Sequence, residues 1–331
     1  MVNNERASRS AATISIVMAT FNGEKYIEEQ INSVLSQTIL PDEIIVIDDC
    51  SKDATVGIIQ TVLSNSSIPH KVIVHDKNMG VTKSFQDGID AADKEYIMIC
   101  DQDDVWLPNK IELTKEYFSS ETNLVVCNAK IVDAQLNSLN KTMFDYIGFP
   151  LAFAGRHISL KSREMMLLSL RRNYVTGMCM AGKRRAIVES FPIPDTMTYD
   201  TWLAWNLARN GNTVFIEDDL VLYRQHEKNV VGTKRKKESL NSYYNNRKND
   251  KKSFVKKYKS LLSVNIQDEE VKIALLDAID FYEGRARLDQ LNIIEGLKLI
   301  FKNKKNNRYN KYTGAAQKEM AKDLLEVVFY R

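Results

Sequence analysis

The 331-residue chain has no long hydrophobic run, so a membrane-spanning helix of roughly 18 apolar residues is excluded. Its first dozen residues, MVNNERASRSAA, lack the apolar stretch of a secretory signal, and a cytosolic location is the expectation. Cysteine is scarce: Cys50, Cys100, Cys127 and Cys179 stand far apart with no C-x-x-C or Cys/His metal spacing. They read as reduced, buried thiols of an intracellular protein. No internal repeat breaks the chain into solenoid units.

What is present is a globular composition, 44% hydrophobic, with a net charge of +3 that hides an asymmetry. Residues 1–232 hold 23 Lys/Arg against 30 Asp/Glu, whereas residues 233–331 hold 23 against 13. A basic appendage suits an anionic partner such as a membrane surface, a phosphorylated lipid or nucleic acid, or forms a solvated helical face. The composition shift places a domain boundary between 232 and 233.

TISIVMA (13–19), EIIVIDD (43–49), HKVIVHD (70–76) and EYIMICD (95–101) are nearly unbroken β-branched runs, as in strands covered on both faces of a parallel sheet. Between the first two, EKYIEEQINSVLSQT puts Ile27, Ile31, Val34 and Leu35 on one helical face, which makes a βαβ unit. The fold class is α/β, doubly wound, with a mostly parallel mixed sheet. NLVVCNAKIVD and NYVTGMCMAGKRRA read as later strands, TYDTWLAWNLARNG as a helix, and NTVFIEDDLVLYRQH as a further strand or strand pair. Beyond 233 the periodicity of Val271–Leu288 and Gln290–Phe301 predicts a helical subdomain.

In doubly wound sheets ligands bind beyond the carboxyl ends of the strands. The first strand is followed by neither G-x-G-x-x-G nor Gly-Lys-Ser/Thr, which excludes nicotinamide and P-loop sites. Three of the first four strand ends carry Asp instead: Asp48-Asp49, Asp76 and Asp101-Gln102-Asp103-Asp104. Asp49 suits a nucleoside's donor groups, or a helix cap. Asp101 and Asp103, two residues apart on extended backbone, converge and repel unless a cation lies between them. Hard oxygen ligands suit Mg²⁺ or Mn²⁺, which completes its shell with water and substrate phosphates.

SIVMATFNGEKYIEEQINSVLSQT, IIVIDDCSKDAT, NMG and DQDDVWLPNK resemble, in that order, the motifs of family 2 glycosyltransferases of the GT-A fold. TYDTWLAWNLARNGNTVFIEDDLVLYRQHEKNVVG resembles the bacterial rhamnosyltransferase branch. The resemblance covers residues 13–232 and implies a catalytic domain at 12–232, with a basic helical subdomain at 233–331. It implies that Thr20, Asn22 and Glu24 line the nucleotide pocket, that Asp49 holds the nucleoside and that Gln102 lies beside the donor. Asp101 and Asp103 become the metal-contacting D-x-D acids, and Asp200 the general base of an inverting enzyme. Tyr199 stands where the family often has Glu or His. As an acid beginning a helix, Asp200 also fits an N-terminal cap.

Around these, Gly80 and Lys83 are candidates for the phosphates. Arg224 and His226 suit the diphosphate or the metal shell, or a structural hydrogen-bonding role, and Thr176-Gly177-Met178 with Trp202 the acceptor side; Trp202 and Trp205 fit an apolar platform for a sugar ring or, as is commoner on a helix, a core. The implied partners are a dTDP- or UDP-sugar donor, best matched by dTDP-L-rhamnose, and a lipid-linked or oligosaccharide acceptor. The enzyme would then sit peripherally at the inner face of the plasma membrane, its basic tail on anionic lipid, and an oligomer is compatible with this. An aspartyl phosphatase carries D-x-D behind its first strand, not its fourth. Tyr243, Tyr244 and Tyr258 interleave with basic residues as in single-strand binders, but no recognised nucleic-acid module accompanies them.

Overall fold

The computed structural model describes residues 12–153, 155–227 and 240–329. The expected boundary at 232/233, the start of the lysine-rich run and the N-terminal residues 1–11 lie outside the described residues. Two compact units result: one holds the sheet, and the other gathers Arg163–Asn173, Pro194–Met197 and the C-terminal helices.

In the first unit the β-branched runs become β1 (Ile14–Thr20), β2 (Glu43–Asp48), β3 (His70–Val74) and β4 (Tyr96–Asp101). They pair in parallel in the order β3-β2-β1-β4. β1, β2 and β4 are buried along their length, whereas β3 is the exposed edge, so its apolar run is not covered on both faces. Helices α1 (Ile27–Leu35), α2 (Thr55–Ser64) and α3 (Val81–Ala91) make the crossovers. On α1 the inward side chains are Ile27, Gln30, Ile31 and Val34, the predicted face with a glutamine added and Leu35 only half-buried.

β5 (Val105–Trp106) and α4 (Lys110–Lys115) follow the acidic cluster, and β6 (Thr122–Val132), β7 (Ser138–Thr142), α5 (Met143–Ile147) and β8 (His157–Leu160) come next. The segment NYVTGMCMAGKRRA, expected as one strand, is instead a 3-10 turn at Gly177–Cys179, a short strand β9 (Met180–Lys183) and the helix α7 (Arg184–Val188), which follows α6 (Ser162–Arg171). β9 enters antiparallel between β4 and β6 and makes the sheet mixed. α8 (Tyr199–Arg209) is buried from Trp202 to Ala208, and β10 (Asn212–Arg224) runs parallel to β6 with bulges around Asp219.

The second unit contains α9 (Leu240–Leu262), α10 (Glu269–Ala286), α11 (Ile293–Lys305), α12 (Arg308–Tyr312) and α13 (Ala316–Phe329). Its centre is an aromatic cluster, Phe254, Tyr258, Phe281, Tyr282, Tyr309 and Tyr312, beside a buried ion-pair network on Asp323. No helix among the described residues is long and apolar enough to cross a membrane.

Candidate functional site

The strand order turns at β1/β4, and the loops behind these strands are latched to one another. Behind β1 the chain enters a left-handed turn at Asn22 (φ 47°), and behind β2 another at Cys50 (φ 67°). Asn22 N–H donates to Ser51 Oγ at 2.8 Å while Lys52 N–H donates to Asn22 Oδ1 at 2.9 Å. Glu24 Oε2 accepts from Ala54 N–H at 3.0 Å, and Gly23 N–H donates to Thr55 Oγ1 at 2.8 Å. Asn22 and Glu24 therefore join the loops behind β1 and β2. Thr20 is 2% exposed, and its hydroxyl donates inward to Asp48 Oδ1 at 2.9 Å, so its side chain braces the strand end.

Asp49 is the hub of the next loop. Its carboxylate accepts from Met79 N–H at 2.7 Å, Gly80 N–H at 2.8 Å and a His75 ring nitrogen at 2.9 Å. Burial works against ionisation, but these bonds outweigh it and hold the carboxyl below its ordinary value. Gly80 adopts φ 86° at the start of α3, a conformation that a side chain would strain. His75, passed over in the sequence because a lone histidine carries no motif, reaches on to Asp87 at 3.2 Å, and Lys83 pairs with Asp87 from the preceding turn of α3.

The acidic cluster closes the crevice. Gln102 clamps the β1 loop: Phe21 N–H donates to its Oε1 at 2.9 Å and its Nε2 donates to Phe21 O at 3.1 Å. A Cβ on Gly23 would lie 2.2 Å from Gln102 Oε1, so the Asn-Gly of the loop is fitted to this glutamine. Asp103 Oδ2 lies 2.8 Å from His226 Nε2. Asp104 is fully buried, accepting Arg224 N–H at 3.0 Å. Arg224 is 2% exposed, and its guanidinium donates to Asp103 O at 2.8 Å, to Ala134 O at 2.9 Å and to Glu29, and lies over the Tyr26 ring. It is a buried brace for the acidic loop, which is the structural of its two expected roles.

Asp200, a hundred residues beyond Asp101, comes within electrostatic reach of it. Burial, then the charges of Asp103 and Asp200, push the Asp101 carboxyl up to about 7, against the pull of Lys110. Burial and nearby acids raise Tyr199, through Asp101, Asp200 and Asp104, and Tyr223, through Asp104, Asp101 and Asp103. Asp200 Oδ1 accepts from Thr201 N–H at 2.6 Å and from the Thr198 hydroxyl, which fixes its orientation at the first turn of α8. Lys110 is 1% exposed and donates to Met178 O at 2.6 Å with the Trp106 ring 3.6 Å away. This buried cation ties the acidic loop to the Gly177–Cys179 turn; its only sequence signal is its place in DQDDVWLPNK. Gly177 packs under Tyr199, whose Oη would lie 1.8 Å from an added Cβ, and Met178 is buried.

Trp202 and Trp205 are core, 5% and 1% exposed, and the Trp202 indole N–H donates to Ser190 O at 2.6 Å. The sugar platform expected there is excluded by that burial. A cavity of about 540 Å³ lies elsewhere in this unit, between Phe144, Phe149, Asn128 and Asp219, and no predicted site residue lines it. Among the described residues no three His, Cys, Asp or Glu side chains gather to hold an ion by themselves. A crowded acid pair with an imidazole against one member nevertheless has the donor set of a Mg²⁺ or Mn²⁺ site that relies on water and phosphate for its remaining ligands.

Known proteins resemble this chain in sequence and in fold. The model of "Glycosyl transferase family 2" matches residues 15–191. Rv1520, an uncharacterized protein of Mycobacterium tuberculosis, is 27% identical over 215 residues, 64% of this chain, which spans only 59% of that relative's length. The dTDP-rhamnosyl transferase RfbG of Shigella flexneri is 28% identical over 228 residues, 65% of this chain and 73% of its own. The crystal structure of S. aureus TarS 1-349 in complex with UDP-GlcNAc superposes with a TM-score of 0.59 at 17% identity, covering 82% of this chain and 72% of that one.

Proposed function

The chain belongs to glycosyl transferase family 2, with the GT-A fold of its structural neighbours, and we propose on that premise that it transfers a sugar from a nucleotide donor with inversion, using Asp200 as general base. The observation that carries this reading is the convergence of Asp101, Asp103 and Asp200 from two distant segments at the β1/β4 crevice. Asp101, Asp103 and His226 would hold a divalent cation there. Such an ion, when bound, neutralises the charge that develops on a departing diphosphate, worth several kcal/mol.

The chain's own groups do the rest. Asp49, buried with its carboxylate on the backbone of Met79 and Gly80, sets the loop that the nucleoside meets. Gln102 keeps the β1 loop open beside the donor. Asp200, held at the helix start by Thr198 and Thr201, takes the proton of the attacking sugar hydroxyl, a contribution of about 10²–10⁴ in rate. The turn of Gly177 and Met178, fixed by Lys110, is buried and would shape the acceptor side only from beneath, without touching the acceptor.

L-rhamnose from dTDP-L-rhamnose is the donor this reading favours, supported by the RfbG relative and the DQDDVWLPNK and YRQHEKNVVG segments. A hexose or N-acetylhexosamine carried by UDP is the alternative, as in the UDP-GlcNAc complex of the TarS neighbour. The acceptor is a growing lipid-linked oligosaccharide or polysaccharide on the cytoplasmic side of the membrane. Purified protein with Mn²⁺ or Mg²⁺ is tested against dTDP-, UDP- and GDP-sugars by thermal shift and nucleotide release. Stabilisation by dTDP-rhamnose, with D200N retaining nucleotide binding but losing transfer, is the expected result. Near wild-type transfer by D200N rules Asp200 out as the base.

A further inference from the structure

The lysine-rich segment that the sequence offers to a membrane spends four of its seven described cations on ion pairs within the helical unit, two of them buried. Arg247 bonds Glu319 at 3.1 Å and Asp323 at 2.6 Å, and Lys251 bonds Glu326 at 2.6 Å. Lys259 pairs with Glu283 at 2.7 Å, and Lys248 pairs with Asp289. Arg247 and Lys251 are buried, so their charge is cancelled where no lipid can reach. Lys252 and Lys256 remain exposed.

Helix α11 has a different character. Gly296, Ile300 and Asn303 point inward, and Gly296 packs against Val327 of α13. At 100° per residue, the next arc of the helix carries Ile293, Leu297, Phe301 and Ile294, with the exposed Lys304 closing it at the C-terminal end. Ile293, Ile294 and Phe301 are 43%, 66% and 56% exposed. The arc beyond carries Lys298, Lys302 and Lys305, all exposed. The helix's one acid, Glu295, is occupied in a capping box with Asn292. α13, which packs on α11, also leaves Leu325, Val328 and Phe329 exposed. Single exposed apolar residues mean little, but an apolar stripe edged by lysines on one helix is the pattern of a helix lying in a bilayer interface.

We propose that the Ile293–Phe301 stripe of α11, with Lys298, Lys302 and Lys305, is the surface by which this protein lies on an anionic bilayer. The stripe enters the boundary between headgroups and acyl chains, and the lysines meet lipid phosphates. The proposal rests on the reading that the acceptor is membrane-borne, and it moves the contact from the lysine-rich segment to α11.

The test is flotation of the full chain with vesicles of phosphatidylglycerol and phosphatidylcholine, and with phosphatidylcholine alone. Wild type is expected to float with the anionic vesicles. I294D/F301D should lower partitioning about tenfold or more, and K298E/K302E/K305E about fivefold or more per lysine; K252E/K256E should float as wild type does. All these positions are exposed, so an unchanged Tm shows that each variant is folded. Wild-type flotation by I294D/F301D together with loss in K252E/K256E overturns the α11 surface while leaving membrane attachment standing. Failure of the wild type to float overturns membrane attachment itself. If I294D/F301D floats normally and instead dissolves a dimer seen by sedimentation velocity, the stripe is a contact between copies and the proposal falls.

Discussion

His226 Nε2 lies 2.8 Å from Asp103 Oδ2, across 123 residues of chain. This contact joins the loop behind β4 to the end of β10, and the proposed cation would be held where they meet. Removing the imidazole, as in H226A, should weaken the Mn²⁺ dependence of nucleotide release about 10- to 100-fold, the range seen when a group that orients a ligand is lost. D103N should be the more severe variant. A Mn²⁺ titration of both variants checks the order; an H226A curve superimposable on wild type removes His226 from the site.

Arg224 should be structurally indispensable in a way that lysine cannot replace. Its buried guanidinium serves Asp103 O, Ala134 O and Glu29 in three directions, and it stacks on Tyr26. R224M leaves the carbonyls of Asp103 and Ala134 without their donor, while the exposed Glu29 can turn to water, which costs about 1–3 kcal/mol for each acceptor left unsatisfied. R224K lacks the planar fork and should recover only a small part of it. Urea unfolding of the two variants measures this, and R224K stability equal to wild type would count against the brace.

The uninterrupted β-branched runs made β1, β2 and β4 legible, because strands buried on both faces need no polar alternation. The acid pair was legible by position behind the fourth strand. The roles of Arg224 and Trp202 stayed open between ligand and structural group. Only the approach of β10 to the acidic loop shows Arg224 turned inward. Trp202 sits on a helix buried on nearly every side, so the amphipathic pattern that would reveal its direction is missing. The turn at Gly177 was hidden inside an apolar run, since the reason for its glycine is Tyr199, a residue remote in sequence.

Gly23 and Gln102 should behave as one unit. G23A pushes a methyl group into the glutamine amide and breaks its two bonds to the Phe21 backbone. Q102A breaks the same bonds directly. Each single variant should lose donor affinity, and G23A/Q102A should be no worse than either alone, a coupling of about 1 kcal/mol or more for groups in contact. Nucleotide-sugar Kd values for the four proteins close the cycle; strict additivity means that the two residues act independently.

The helical unit should carry an acid-sensitive stability centred on Glu319. Burial works against ionisation of this carboxyl, but hydrogen bonds from Lys322 and Arg285 and the charges of Arg285 and Arg247 outweigh it, holding it at about 2 rather than 4.5. A depressed carboxyl favours the folded state only while it is ionised there and protons would bind the unfolded chain more readily. Its contribution is therefore complete above pH 4.5 and fades as the pH falls towards 2. Replacing it by E319Q removes the ionisation, so wild type should exceed the variant by about 1–3 kcal/mol at pH 6, the partial exposure of the side chain trimming the full linkage value. The difference should shrink between pH 4.5 and 2, since both proteins then present a neutral group to Arg285. Urea unfolding followed by far-ultraviolet circular dichroism at pH 6, 4, 3 and 2 measures it. A difference that stays constant across this range would mean that Glu319 contributes by packing and not by charge.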